Sequence, residues 1–315
     1  MKAALVTEPG ATPVCGDFPD PEPFEGSAEF ELVGAGIHQV VRSLAAGRHY
    51  GSAGSYPQVV GVDAVARRAD GALVYTGFTR APWGTMAERL ATPGGFELPD
   101  GADPLAVAAG ANPGMAGYLP LRARRAELGA LGTVLVLGAT GMSGRMAVQA
   151  ARQLGAARVV GVGRDRERLE QVASYGAVPV VLGDDPAGAI RAGLDGAAPD
   201  LVLDFVWGGV AEAAFDALGR TGLDEDSADI TYTQIGALAG PDAAVPSTLL
   251  RSRRIRIVGS GAGSATQEAI MTALPEVIGL IASGVLTVPY RSFSLGEVDR
   301  AWAHAGGERA VVVPG

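Results

Sequence analysis

Between residues 133 and 144 the chain reads Thr133-Val-Leu-Val-Leu-Gly138-Ala-Thr140-Gly141-Met142-Ser143-Gly144, and no other stretch narrows the possible folds as much. An apolar run short enough for a buried strand meets a glycine turn, and an amphipathic pattern from Arg145 to Leu154 predicts a helix. A second apolar run, Arg158-Val-Val-Gly-Val-Gly163, follows and ends in Arg164-Asp165. That order is a βαβ unit whose first turn can receive a dinucleotide pyrophosphate. Gly138 permits the tight turn, Gly141 lets backbone approach the phosphates, and Gly144 lets helix and strand pack closely. The helix start adds free N–H groups and a positive dipole end, with Thr140, Met142 and Ser143 as further contacts of the turn. The spacing is G-x-x-G-x-x-G rather than G-x-G-x-x-G, and a glycine-rich turn without a ligand would share it. Strand, helix and second strand in register decide for a cofactor.

The rest of the chain sets bounds. At 315 residues it has length for two domains and a substantial core. A net charge of −9 disfavours nucleic acid and anionic membrane surfaces as partners. No apolar run is long enough to span a bilayer, and the apolar stretch after Met1 is too short for a signal peptide, so the expected location is the cytoplasm. Cys15 is the one cysteine, which excludes an internal disulfide and a cysteine-rich zinc site; it reads as an inert thiol near an early strand. Lys2 is the one lysine, which excludes a mid-chain lysine base or Schiff base.

The texture changes along the chain. Short β-like runs at Ala3–Thr7, Ala28–Ala35, Val59–Arg67 and Ala72–Gly77, parted by Pro and Gly turns, predict an antiparallel, partly closed sheet. From Asp103 Ala-rich helical segments run to Leu128, and strands and helices then alternate to Gly259. Such alternation predicts a doubly wound parallel sheet of the Rossmann type. An amphipathic helix (Thr266–Ser283), a short strand (Tyr290–Phe293), a helix (Val298–Ala303) and a last strand (Arg309–Val313) follow, and the last strand needs the first sheet to pair with. The fold class is therefore α/β, with residues 111–264 as cofactor domain and residues 1–110 with 265–315 as a β-rich substrate domain.

This layout resembles the medium-chain dehydrogenase/reductase superfamily, whose first domain is GroES-like. Met1-Lys-Ala-Ala resembles its opening strand, Val33-Gly-Ala-Gly-Ile37 its first active-site strand, and Tyr56-Pro57-Gln-Val-Val-Gly61-Val-Asp63 its "Pro-x-x-x-Gly-His-Glu" turn. Ile235-Gly236 and Gly259-Ser260 are similar to the ends of its late cofactor-domain strands. Where zinc-dependent members have a cysteine after Gly-Ile, this chain has His38; where they have the histidine ligand, it has Val62; and the four-cysteine loop is absent. A catalytic zinc takes three protein ligands, so the resemblance is to the zinc-independent quinone oxidoreductase and enoyl reductase branch, with no metal expected.

NAD-specific sites carry an acid at the end of the second strand to accept from the ribose 2′-OH. Here Gly163 leaves room for a 2′-phosphate, and Arg164 and Arg168 are its candidate partners, which favours NADPH. Asp165 is better placed as the cap of the next helix. Asp204 stands at a strand's carboxyl end, where ligands of open α/β sheets collect, although a turn-capping acid reads equally well. Gly236, Gly259 and Ser260 are expected to line the nicotinamide side.

Hydride transfer then requires positioning of the acceptor and a proton source. No tyrosine has a lysine four residues on, which removes the short-chain dehydrogenase mechanism. His38, Tyr56 and Asn112 are the catalytic candidates; each also has a structural reading, as a hydrogen-bonded core histidine, a packed turn and a helix cap. The expected activity is reduction of a small molecule, a quinone or an α,β-unsaturated carbonyl. The alternatives are an enoyl-thioester reductase and a non-catalytic NADPH sensor. The resemblance also implies a homodimer, for which the apolar run Arg254–Gly259 is a suitable edge.

Overall fold

A computed structural model of the chain describes residues 1–52 and 54–315; Ala53, in the loop before Tyr56, lies outside the described residues. The chain divides into two compact units, Met1–Pro113 with Pro275–Gly315, and Gly114–Leu274.

In the first unit the elements are β1 (Lys2–Val6), β2 (Val14–Asp17), β3 (Ala28–Gly36), α1 (Gln39–Ala45), β4 (Gln58–Val59), β5 (Asp63–Arg67), β6 (Leu73–Gly77), β7 (Arg89–Thr92) and β8 (Gly95–Glu97). Helix α2 (Pro104–Leu128) then runs across the division as one element, where two segments were expected. The second unit holds β9 (Thr133–Leu137), α3 (Met142–Gln153), β10 (Arg158–Gly163), α4 (Arg166–Ser174), β11 (Val178–Val181), α5 (Pro186–Leu194), β12 (Leu201–Asp204), α6 (Gly208–Leu218), β13 (Ile230–Gln234), α7 (Ser247–Ser252) and β14 (Ile255–Gly259). After α8 (Gln267–Ala282) the chain completes the first unit with β15 (Tyr290–Ser294), α9 (Val298–Ala303) and β16 (Arg309–Val313).

The second unit is a six-stranded parallel sheet in the order β11-β10-β9-β12-β13-β14. Helices cover both faces of such a sheet, so its central strands are apolar throughout rather than alternating. All five residues of β9 are buried, as are all four of β12. Leu135, Leu137, Val160, Val202, Phe215 and Tyr232 are among the residues of its core.

The first unit carries a seven-stranded sheet in which β3 is shared: β5 and β7 pair with it antiparallel, and so does β16. The terminal strand thus finds a partner in the first sheet, through Val311 opposite Gly36. A smaller sheet is ordered β2-β1-β4, and Cys15 is exposed on β2. The run Val59–Arg67, expected as one strand, is two. Gly61, at φ 115, breaks it, and a Cβ there would lie 2.9 Å from the backbone nitrogens of Thr85 and Met86. Elements β2, α1, β7, β8 and α7 were not anticipated; each is seven residues or shorter, too brief for periodicity to separate from a loop. Among the described residues no helix is long and apolar enough to cross a membrane.

Candidate functional site

The glycine turn of the second unit is built by its backbone. Gly138 sits at φ 83, and its N–H and that of Ala139 both donate to the Val162 carbonyl, at 3.0 and 2.9 Å. Two of the three glycines are demanded by the protein's own packing. A Cβ on Gly138 would stand 2.8 Å from Val206 Cγ1, and one on Gly144 would run into the Gly138 carbonyl and lie 2.8 Å from Ala139 Cα. Gly144 therefore admits the turn's own backbone. Gly141 differs: it is exposed, its φ is an ordinary −77°, and a Cβ there would meet nothing closer than the Gly138 oxygen at 3.5 Å. Its lack of a side chain leaves the start of α3 open. As N-cap it supplies no side chain to the N–H groups of Met142, Ser143 and Gly144. An open helix start beside an uncrowded glycine is the cradle an anion needs. Met142 itself is buried, which leaves its side chain to the core.

Three expectations around this turn change. A Cβ on Gly163 would stand 2.6 Å from Thr140 Cγ2, so the missing side chain makes room for Thr140, not for a phosphate. Arg164 is exposed, but the Arg168 guanidinium pairs with Asp165 at 3.2 Å; Asp165 also caps α4 by accepting from Arg168 N. Asp204 is fully buried and its carboxylate is used internally: Oδ1 accepts from the N–H groups of Val206 and Trp207 (2.9 and 2.8 Å), and Oδ2 accepts from the Tyr232 hydroxyl at 2.5 Å. Burial pushes the Asp204 carboxyl up, against the pull of these donors, and pushes the Tyr232 hydroxyl up as well. Asp204 is thus a turn-capping acid.

Gly236 is likewise a packing glycine, since a Cβ would lie 2.5 Å from the Phe205 carbonyl oxygen. At Gly259 the space is open. With Trp207, Gln234, Pro241, Ile257 and Val258 it lines a depression of about 340 Å³ at the carboxyl ends of β12, β13 and β14. Ser260 donates its N–H to the Gln234 carbonyl at 2.8 Å. Trp207 was missed by sequence reasoning. It holds φ 56, ψ −154, a backbone conformation that a large side chain rarely adopts and that concentrates at functional sites. The Gly208-Gly209 pair after an apolar strand was the available signal.

In the first unit the polar centre is made of side chains. His38 ends the strand segment as the cap of α1 and is 2% exposed. Its Nε2 lies 3.1 Å from Asp63 Oδ1, while Asn112 Nδ2 donates to Asp63 Oδ2 at 2.7 Å. Tyr75 is buried near the same carboxylate, and burial followed by the Asp63 charge raises its hydroxyl well above the usual tyrosine range. Gly36 makes this possible: a Cβ there would lie 2.5 Å from His38 Cε1 and 2.6 Å from the Ala108 carbonyl. Thr85 completes the shell by donating to the Asp63 carbonyl at 2.9 Å. His38 and Asn112 are therefore brought together through one residue, Asp63, that the sequence had not marked as functional. Tyr56 is apart from them. Its hydroxyl donates to the Ala45 carbonyl at 3.1 Å, so its proton is engaged in closing the loop after α1.

These residues do not fit a zinc ion. Val62 has no donor atom, and the imidazole and carboxylate present are bonded to each other. Among the described residues no group of three His, Cys, Asp or Glu side chains is placed to hold a metal.

Residues 144–279 match the family model of zinc-binding dehydrogenases. A protein named as a probable NADPH-dependent quinone reductase, from Emericella nidulans, is 30% identical across all of both chains. Among solved structures, the quinone oxidoreductase of Escherichia coli complexed with NADPH superposes with a TM-score of 0.82 at 20% identity, over 100% of each chain. The quinone oxidoreductase of Thermus thermophilus, solved alone and with NADPH, gives 0.78 at 24% identity over 99% of this chain and 100% of its own. At these identities the two structures speak to the fold.

Proposed function

The chain belongs to the medium-chain dehydrogenase/reductase superfamily, in its quinone oxidoreductase branch, and from that premise we propose that it is an NADPH-dependent, zinc-independent oxidoreductase that reduces a quinone. The observation that carries the reading is the open start of α3 at Gly141, the one glycine of the turn that internal packing does not require. There the N–H groups of Met142, Ser143 and Gly144 hold the pyrophosphate, and the exposed Arg164 guanidinium takes the 2′-phosphate. Bound NADPH supplies the hydride; the chain's own residues bind, orient and shield. In the first unit Asn112 is the partly exposed residue of the polar centre, and the buried His38 shares its Asp63 partner.

An α,β-unsaturated carbonyl is the second reading. Its reduced carbon requires a proton, whereas a hydroquinone anion can take one from water, and the imidazole of His38, bonded to Asp63, is the candidate to relay it. Dimerisation through the exposed edge of β14, the last strand of the parallel sheet, belongs to the same reading.

Binding of NADPH and NADH by fluorescence, followed by cofactor absorbance with 1,4-benzoquinone, an enone and a crotonyl thioester, tests the proposal. NADPH is expected to bind more tightly, and Arg164→Ala to cut that preference by about tenfold or more, the worth of one charge-assisted bond. Tighter NADH binding by the wild type would refute the role of Arg164. Tight NADPH binding without oxidation by any acceptor would favour a sensor.

A further inference from the structure

We propose that Asp63 is a positioning residue: its buried carboxylate fixes the side-chain amide of Asn112 in one orientation, so that the amide presents an N–H donor to the carbonyl oxygen of the acceptor. The proposal rests on the oxidoreductase reading above and adds to it the residue that sets the acceptor-binding geometry.

Asp63 is 5% exposed, and its carboxylate bonds to two elements distant in sequence: His38 at the head of α1 and Asn112 on α2. A carboxylate is a costly choice for packing alone, because an apolar replacement of a buried ionic group is often neutral or stabilising. What an aliphatic cannot do is select an end of the Asn112 amide. The amide is nearly symmetric in shape, and only an acceptor-only neighbour forces Nδ2 inward. Its oxygen and its second N–H are then left for a ligand.

Exposure singles out the same residue. His38 is 2% exposed and Tyr75 6%, whereas Asn112 is only partly buried. Of the two residues bonded to the carboxylate it is the one that can touch a bound molecule. The carboxylate is also prevented from swinging. The His38 ring is confined against Gly36 and the Ala108 carbonyl, and the Thr85 hydroxyl pins the backbone of Asp63. In the register of β5 and β6 the residue opposite is Gly77, where a Cβ would lie 2.6 Å from the Val62 carbonyl oxygen. An N–H held in place before reduction stabilises charge that develops on the acceptor oxygen without reorganising during the step.

Three variants of the full chain test this: Asn112→Ala, Asp63→Asn, and the swap that combines Asp63→Asn with Asn112→Asp. Each is measured for NADPH Kd, for kcat and KM with 1,4-benzoquinone, and for Tm. Asn112→Ala and Asp63→Asn are each expected to lower kcat/KM by about tenfold or more, with NADPH Kd unchanged. The swap keeps one carboxylate bonded to one amide, so it is expected to hold the wild-type Tm while kcat/KM stays low, because a carboxylate oxygen now faces the acceptor. Restoration of kcat/KM by the swap would overturn the proposal and make Asp63 a structural staple. So would an unchanged kcat/KM in Asp63→Asn, or failure of both Asp63 variants to fold. A wild type that binds NADPH yet reduces none of the acceptors sinks the oxidoreductase reading itself, an outcome read without any variant.

Discussion

The glycine turn of the second unit and the polar centre of the first reach the same end by opposite means. At the turn the groups we propose as binding groups are backbone N–H groups, and the side chains that matter are the ones missing: Gly138 and Gly144 for internal contact, Gly141 for access. At the polar centre the proposed binding group is a side-chain amide, held by a carboxylate that draws on residues 25 and 49 positions away. Each unit also shows what a merely structural acid looks like when set beside Asp63. Asp204 is equally buried, but its donors are the backbone N–H groups two and three residues on and a buried tyrosine from the next strand, so no partly exposed side chain is oriented by it. A buried carboxylate that satisfies its own turn serves the fold. One that orients a partly exposed amide has an outlet to solvent.

The sharpest break would come from Gly144. Gly144→Ala drives a methyl group into the Gly138 carbonyl and Ala139 Cα, backbone that cannot step aside, and is expected to cost about 3 kcal/mol or more of stability in urea unfolding. A variant as stable as the wild type would mean the turn is softer than its packing implies. Next is Asp204→Ala. It strands the Tyr232 hydroxyl and two backbone N–H groups, and a loss of about 2–3 kcal/mol is expected, with kcat/KM for acceptor unchanged in the folded protein. A weaker NADPH Kd at full stability would instead return Asp204 to the cofactor site.

Gly141→Ala is the counterpart of Gly144→Ala. The position has ordinary φ and room for a methyl, so Tm is expected to hold or rise slightly. NADPH Kd should rise about tenfold, roughly 1.4 kcal/mol, as the methyl stands between ligand and backbone. Unaltered affinity would remove Gly141 from the site.

The smallest effect tests an ion pair with no part in either site. Arg124 is 3% exposed and pairs with Asp229 at 2.9 Å and Glu127 at 2.7 Å. Its guanidinium, as bond donor, holds the Asp229 carboxyl below the usual range and does the same for Glu127. Acids depressed in the folded state contribute stability above their unfolded pKa, and that contribution is lost as pH falls through the lower folded value. The stability gap between wild type and Arg124→Met should therefore be full at neutral pH and shrink below about pH 4. Urea midpoints across pH would show it; a gap independent of pH would assign the effect of Arg124 to packing alone.

Much of the parallel sheet was legible because its signals are local. Continuous apolar strands, glycines at a turn and an acid at a helix start act within a few residues, so β10 falls on the residues its apolar run marks out. Gly163 shows the limit. Its smallness was readable but its beneficiary, Thr140, was not, because the contact depends on how the turn folds back over the second strand. Tyr56 shows another: its hydroxyl is committed to Ala45 by a loop whose path no pattern specifies.

By itself the sequence determined the class of fold, the order of its elements, the glycine turn and the loss of the zinc ligands, since these follow from residue type and spacing along the chain. The tertiary structure decided what each polar group is for. It buried Asp204 in its own turn, separated Gly141 from the glycines that packing requires, and joined His38 and Asn112 on Asp63. The reason is that a hydrogen bond between residues far apart leaves no periodic trace in the chain and exists only once the strands and helices carrying its partners have packed.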